Sequence, residues 1–231
     1  KANYRFSYSY LDNESIQPGS GYDRHNFSLK GGVDISSKLK LSTKIDYIRS
    51  NALNRPELTD SQANSVKNLA LRPRNISNSL LNDNYLNDNG GPNNWNGAFI
   101  QNPYYVANTR INSDKKDRYL GLVKLDYQII NELSAFLRIS QDQSTTNAVV
   151  FQPVGAFDIR PNGGMIDLTS TNTINNYDFL LNFDKDEILE NISLGATIGV
   201  SQAKDNFKLV RATAENILVP GLFSIDNFSN K

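Results

Sequence analysis

The chain has 231 residues, enough for one domain with a full core or for part of something larger. Its 24 Lys and Arg balance its 24 Asp and Glu, which leaves no basic field to hold a nucleic acid and no acidic tail. Cys is absent, which excludes disulfides, thiolate metal sites and a cysteine nucleophile, and mean hydropathy is −0.48, with no stretch near the ~20 apolar residues of a membrane helix.

The 31 Asn, 11 Phe and 11 Tyr favour turns and strands over helices, so the chain is expected to be all-β. Lys1-Ala2-Asn3-Tyr4 opens directly into alternating sequence, without the charged start and apolar run of a signal peptide. The expectation is a removed leader or a start inside a longer protein.

Seven segments alternate apolar and polar residues with period two, the pattern of a strand with two unlike faces. The first sets Tyr4, Phe6, Tyr8 and Tyr10 against Arg5, Ser7 and Ser9. The second sets Phe27, Leu29 and Val33 against Ser28, Lys30 and Asp34, and the third sets Leu39, Leu41, Ile45 and Tyr47 against Lys40, Ser42, Lys44 and Asp46. In the fourth, Tyr119, Val123, Leu125 and Tyr127 oppose Lys124 and Asp126, with Leu120 and Leu122 as exceptions on the polar face. The fifth sets Leu133, Ala135, Leu137 and Ile139 against Arg138 and Asp142. In the sixth, Tyr177, Phe179, Leu181 and Phe183 oppose Asp178 and Asn182; in the seventh, Ile192, Leu194, Ala196, Ile198 and Val200 oppose Ser193, Thr197 and Ser201.

The apolar faces carry no charge, as a lipid-facing wall requires and as the inner face of a soluble β-sandwich also would. Connection lengths separate the two. Short links near 36–38, 130–132 and 185–191 alternate with long ones near 11–22, 52–117, 147–174 and 206–231, which places short turns on one side and long loops on the other. The expected fold is an antiparallel transmembrane β-barrel, with Tyr4, Tyr10, Tyr47, Tyr119, Tyr127 and Tyr177 as interfacial aromatics. Seven strands are too few, and of the wrong parity, for a closed bacterial barrel, so residues 1–231 are expected to be part of a larger one.

Tyr4-Arg5-Phe6-Ser7-Tyr8-Ser9-Tyr10 followed by Tyr22-Asp23-Arg24-His25-Asn26-Phe27-Ser28-Leu29 resembles a barrel stretch of the SusC/RagA-like TonB-dependent transporters of Bacteroidota. Asn102-Pro103-Tyr104-Tyr105 before Asp117-Arg118, and Leu218-Val219-Pro220-Gly221-Leu222-Phe223 leading to Asn227, are similar to the same family. The resemblance implies a 22-stranded barrel with long extracellular loops in the bacterial outer membrane, closed by a plug domain absent from this chain and powered through TonB. It also implies a SusD-like surface lipoprotein as partner and import of oligosaccharides or peptides, with no cofactor.

Enzyme chemistry finds little support. His25 is the only histidine, so neither a His-rich metal site nor a Ser-His-Asp triad can be assembled, and a structural role is expected for it. Asp184, Asp186, Glu187 and Glu190 cluster at a turn, where solvation accounts for them better than glycoside hydrolysis. Gly31-Gly32 and Gly163-Gly164 lack the helix and Lys of a phosphate cradle; the first pair suits strand curvature and the second a turn. The stretch 83–91 offers oxygens for calcium without EF-hand spacing.

The 52–117 segment holds 15 Asn and the only Trp, and is the place to look for recognition. Trp95, Asn102, Tyr104 and Tyr105 are the ligand-contact candidates, with flat faces and amides suited to sugars or peptides. The alternative is that they pin the loop to the rim or to a partner. Arg5, Lys30, Lys40, Lys44, Lys124 and Arg138 are expected to face the lumen as hydrated wall charges. The competing fold, a soluble or surface-attached β-sandwich that binds carbohydrate or a partner, requires Leu41, Leu137 and Leu181 to lie in a closed core.

Overall fold

Period-two alternation becomes a single antiparallel sheet in which each strand pairs with the next in sequence. The computed structural model describes residues 1–95, 100–155, 160–189 and 192–231. The strands are β1 (Ala2–Glu14), β2 (Gly21–Asp34), β3 (Leu39–Leu53), β4 (Ile111–Ile130), β5 (Leu133–Val154), β6 (Asn162–Leu189), β7 (Ile192–Ile217) and β8 (Phe228–Asn230). Three short helices lie between β3 and β4: α1 (Ser65–Ala70), α2 (Asn78–Asp83) and α3 (Pro103–Thr109). None of the described helices is long and apolar enough to cross a membrane.

The apolar face has no cover among the described residues. Phe6 is 64% exposed, Ile198 72% and Leu137 43%, while Leu41 and Leu181 are only half-buried. The buried apolar cluster, Phe151, Ala214 and Phe228, lies instead where the long connections gather. A sandwich would enclose Leu41, Leu137 and Leu181 between two sheets, so the sandwich is not the fold.

The apolar belt crosses the strands obliquely. Its upper edge is Tyr10 on β1, Tyr47 on β3, Tyr119 on β4, Tyr177 on β6 and Val200 on β7; Tyr4 marks its lower edge on β1. The rung from Tyr4 runs through Gly31, Thr43, Val123 and Ile139 to Tyr177, from the lower edge to the upper. The rung from Val200 runs through Phe179, Leu137, Leu125, Leu41 and Val33 to Ala2, eight positions below Tyr10. Eight residues along the strand are about 26 Å, and six interstrand steps are about 29 Å, so the strands tilt by about 42° from the belt normal. That lies within the ~35–45° tilt of membrane barrels. The pattern is one of an apolar slab imposed by the surroundings, and the sheet is part of the wall of a transmembrane β-barrel.

Where the belt stops, the strands continue. Residues 111–117, 147–154, 162–174 and 206–217, expected in outer connections, belong largely to strands β4 to β7. Just above the belt both faces are polar, as with Gln141 and Gln143 beside Asp142 and Ser144, and farther out apolar residues return without a regular period, as at Val149, Val150 and Phe151, so the strand is extended by its backbone ladder. The end of the chain also folds back, through a 3₁₀ turn at Ile225–Asn227, to pair β8 with Glu215 and Ile217 of β7. Glu190 and the β6–β7 turn at 190–191 lie outside the described residues.

Candidate functional site

The connection between β3 and β4 is a small folded unit held by asparagines. Asn64 caps α1 by accepting from Lys67 N at 3.0 Å, and Ser77 caps α2 by accepting from Leu80 N at 3.1 Å. Fully buried Asn68 donates to the carbonyls of Gln62 at 2.6 Å and Gln101 at 2.9 Å. Arg55 forks onto Asp114 and donates its backbone N–H to the Asn112 carbonyl at 2.7 Å, which clamps the start of the connection to β4. That ion pair raises the Arg55 guanidinium further above its ordinary range.

Asn102 is the hub. Its Oδ1 accepts from Tyr104 N at 3.0 Å, capping α3 with Pro103 at the first helical position, while its Nδ2 donates to the carbonyls of Leu81 at 3.0 Å and Asn93 at 3.1 Å. Tyr105 is fully enclosed and donates its phenol to the Val154 carbonyl at 2.8 Å. Burial pushes that phenol up to about 12. Asn102 and Tyr105 therefore present no surface to a ligand in this structure, whereas Trp95 and Tyr104 are half-buried and keep part of theirs.

Two concavities open on this unit. A groove of about 300 Å³ is lined by Ile16, Pro18, Val66, Leu69 and Tyr104, between the β1–β2 turn and helices α1 and α3. A cavity of about 390 Å³ lies between the 86–91 turn, α3 and the ends of β5 and β7, with Asn87, Asn89 and Asn108 beside Phe151, Pro220 and Phe223. Phe151 and Phe223 meet edge to face at 4.6 Å. Amide groups beside apolar surface can hold a peptide backbone with its side chains, or the hydroxyls and flat face of a sugar.

In the stretch considered for calcium, Asn87 Oδ1 holds the turn itself, accepting from Asn89 N at 3.0 Å and Gly91 N at 2.9 Å. Among the described residues no group of three or more His, Asp or Glu is placed to hold a metal ion. Gly163-Gly164 opens β6, and Gly163 has φ +80, a conformation that favours glycine.

The face opposite the belt carries Arg5, Lys30, Lys40, Lys44, Lys124 and Arg138. Lys44 pairs with Asp46 at 2.5 Å, Lys124 with Asp126 at 2.6 Å, and Arg138 with Asp178 at 2.9 Å; Ser201 also donates to Asp178, at 2.6 Å. Lys40 stands opposite Asp126, while Arg5, Lys30 and Lys44 face one another across β1 to β3. On the belt face His25 closes the upper edge, with its ring 4.7 Å from Tyr10 and its Nδ1 3.0 Å from the Tyr8 hydroxyl.

The family-like motifs are structural. Asn102 organises the loop, and Asp117 accepts from Tyr47 at 2.6 Å. Buried Asn227 exchanges bonds with Val219 N at 2.9 Å and the carbonyls of Val219 at 2.6 Å and Leu222 at 2.9 Å, which shapes the 218–223 turn. Asn68 was not singled out from the sequence, because a buried Asn leaves no periodic mark.

No protein-family model matches the chain, and no curated protein does either. Solved structures do. A structure of the RagAB peptide importer in the closed-closed state matches with TM-score 0.73 and 15% identity over 100% of this chain and 26% of that one. A structure of the RagAB peptide transporter matches with TM-score 0.74 and 14% identity over 100% and 26%. The open-open state of the importer matches with TM-score 0.73 and 16% identity over 100% and 25%. The likeness is one of fold, it is equally good for the two states, and the chain spans about a quarter of the length of those chains.

Proposed function

We propose that this chain is a wall-and-loop segment of a SusC-like importer in the outer membrane of a Bacteroidota cell, with the β3–β4 unit on the outer surface. A plug domain elsewhere in the protein couples it to TonB, and a SusD-like surface lipoprotein covers the loop side. The observation that carries this reading is the oblique belt, about 42° of strand tilt, on a sheet that superposes over its whole length on RagAB chains. The cargo is a peptide or an oligosaccharide; the RagAB neighbours, described as peptide importers, favour peptide.

Transport involves no covalent step. The belt seats the wall in lipid, and the opposite face presents hydrated charges to the lumen, with Lys44, Lys124 and Arg138 ion-paired. Trp95 and Tyr104 are the aromatic candidates for ligand contact, with Asn87, Asn89 and Asn108 supplying amides; Asn102 and Tyr105 hold the frame. Deleting the parent gene and following uptake of labelled peptides and oligosaccharides tests the reading. Uptake that disappears on deletion and on dissipating the proton gradient supports it. Uptake unchanged by deletion refutes import, and uptake that ignores the gradient points to a passive pore.

A further inference from the structure

Above the belt, the lipid-side face of β5 to β7 continues as a polar surface free of carboxylates. Gln141 Nε2 donates to Asn175 Oδ1 at 2.9 Å, the Thr145 and Thr171 hydroxyls lie 3.2 Å apart, and Thr169 Oγ1 donates to Asn147 Oδ1 at 2.8 Å. Lys204 stands opposite Asn175 and Lys208 opposite Thr171, both exposed. No Asp or Glu occurs on this face of the three strands between the belt and Asp167. An ordinary solvated surface mixes charges of both signs; this one offers amides, hydroxyls and two cations.

We propose that this collar binds the phosphorylated sugar headgroup of a membrane glycolipid, a reading that rests on the membrane placement of the belt. The collar is continuous with the belt, so its neighbour is whatever stands on the lipid tails. Lys204 and Lys208 follow Val200 by four and eight residues, which at the tilt of the sheet puts them about 10 Å and about 20 Å above the belt edge. A plain phospholipid headgroup layer is only about 5–8 Å deep on each side. A saccharide headgroup reaches further, its hydroxyls match the amide and hydroxyl ladder, and its phosphates match the lysines.

The test uses the full-length protein refolded into phosphatidylethanolamine vesicles with or without a tenth of a bisphosphorylated glycolipid bearing core sugars. Glycolipid retained after detergent extraction and purification is the readout. Lys204→Gln/Lys208→Gln is expected to lower retention about tenfold or more, since a lysine near an anionic headgroup contributes roughly a factor of five, and Arg74→Gln in the β3–β4 unit is expected to leave it unchanged. Removing the glycolipid's phosphates is expected to reproduce the loss. Equal retention by wild type and double variant, or retention that survives phosphate removal, overturns the proposal. Insertion is scored separately by gel mobility before and after heating: a protein that inserts without retaining glycolipid refutes only the collar, and one that never inserts refutes the membrane reading as well.

Discussion

Tyr105 on α3 donates its phenolic proton to the carbonyl of Val154, 2.8 Å away at the tip of β5, and so ties the β3–β4 unit to the upper end of the sheet. Tyr105→Phe keeps the buried ring and removes the donor to that carbonyl, at a cost of about 1–1.5 kcal/mol. Hydrogen exchange in α1 to α3 is expected to accelerate about five- to tenfold, with β1 to β4 unaffected within the belt. Equal acceleration everywhere would mean that the unit and the wall open together.

The same phenol makes the unit sensitive to alkali. Its folded value of about 12 exceeds the ordinary 10.0, because burial disfavours the phenolate. The unfolded form therefore releases its proton first, and the contribution of Tyr105 is complete below about pH 10 and falls as pH rises towards about 12. Tyr105→Phe is expected to flatten this part of the pH profile of loop protection, while leaving any fall due to other groups in place.

Asn102 serves as a cap and as a double donor. Asn102→Ala removes both and is expected to cost the unit about 2–3 kcal/mol, read as rapid proteolysis within 54–110. Asn102→Asp keeps the cap acceptor but cannot donate to Leu81 and Asn93, so it is expected to recover only part of the loss. Full recovery would assign the whole effect to the helix cap.

The belt predicts a side-specific cost. Leu137→Lys places a charge on the lipid face and is expected to destabilise folding into vesicles by about 2–4 kcal/mol, whereas Ser140→Lys on the opposite face is expected to cost about 1 kcal/mol or less. Similar costs at the two positions would contradict the assigned faces.

Arg138 and Asp178 give a fifth test. Asp178 is 8% exposed, so Arg138→Ala leaves a nearly buried carboxylate that still accepts from Ser201 on β7. A loss of about 1–2 kcal/mol is expected, reduced from the buried-pair range because Arg138 itself is well solvated. In a double-mutant cycle, Arg138→Ala with Asp178→Ala is expected to cost less than the sum of the two.

The belt was legible because lipid imposes a rule that sequence records: every second residue from Tyr4 to Tyr10, or from Leu133 to Ile139, is apolar and uncharged. The strand extensions were illegible for the complementary reason. Gln141 to Asn147 has water or headgroups on one side and polar neighbours on the other, so nothing selects an alternation. The β3–β4 unit was legible only as a place, since its fold depends on side-chain bonds to distant carbonyls, as from Asn68 to Gln101. Asn before Pro at 102–103 is the sharpest local signal there, a cap followed by a proline at the helix start. It points to a structural role for Asn102 rather than to ligand contact.

The slant of the belt also sets how much girth each strand supplies. At about 42° and about 4.8 Å between strands, one strand occupies about 6.5 Å of circumference, and seven occupy about 45 Å. A ring of that girth is about 14 Å across between backbones, a width that inward side chains would fill. Passage of anything as bulky as a peptide or an oligosaccharide demands a wider hoop, in which β1 to β7 form one arc.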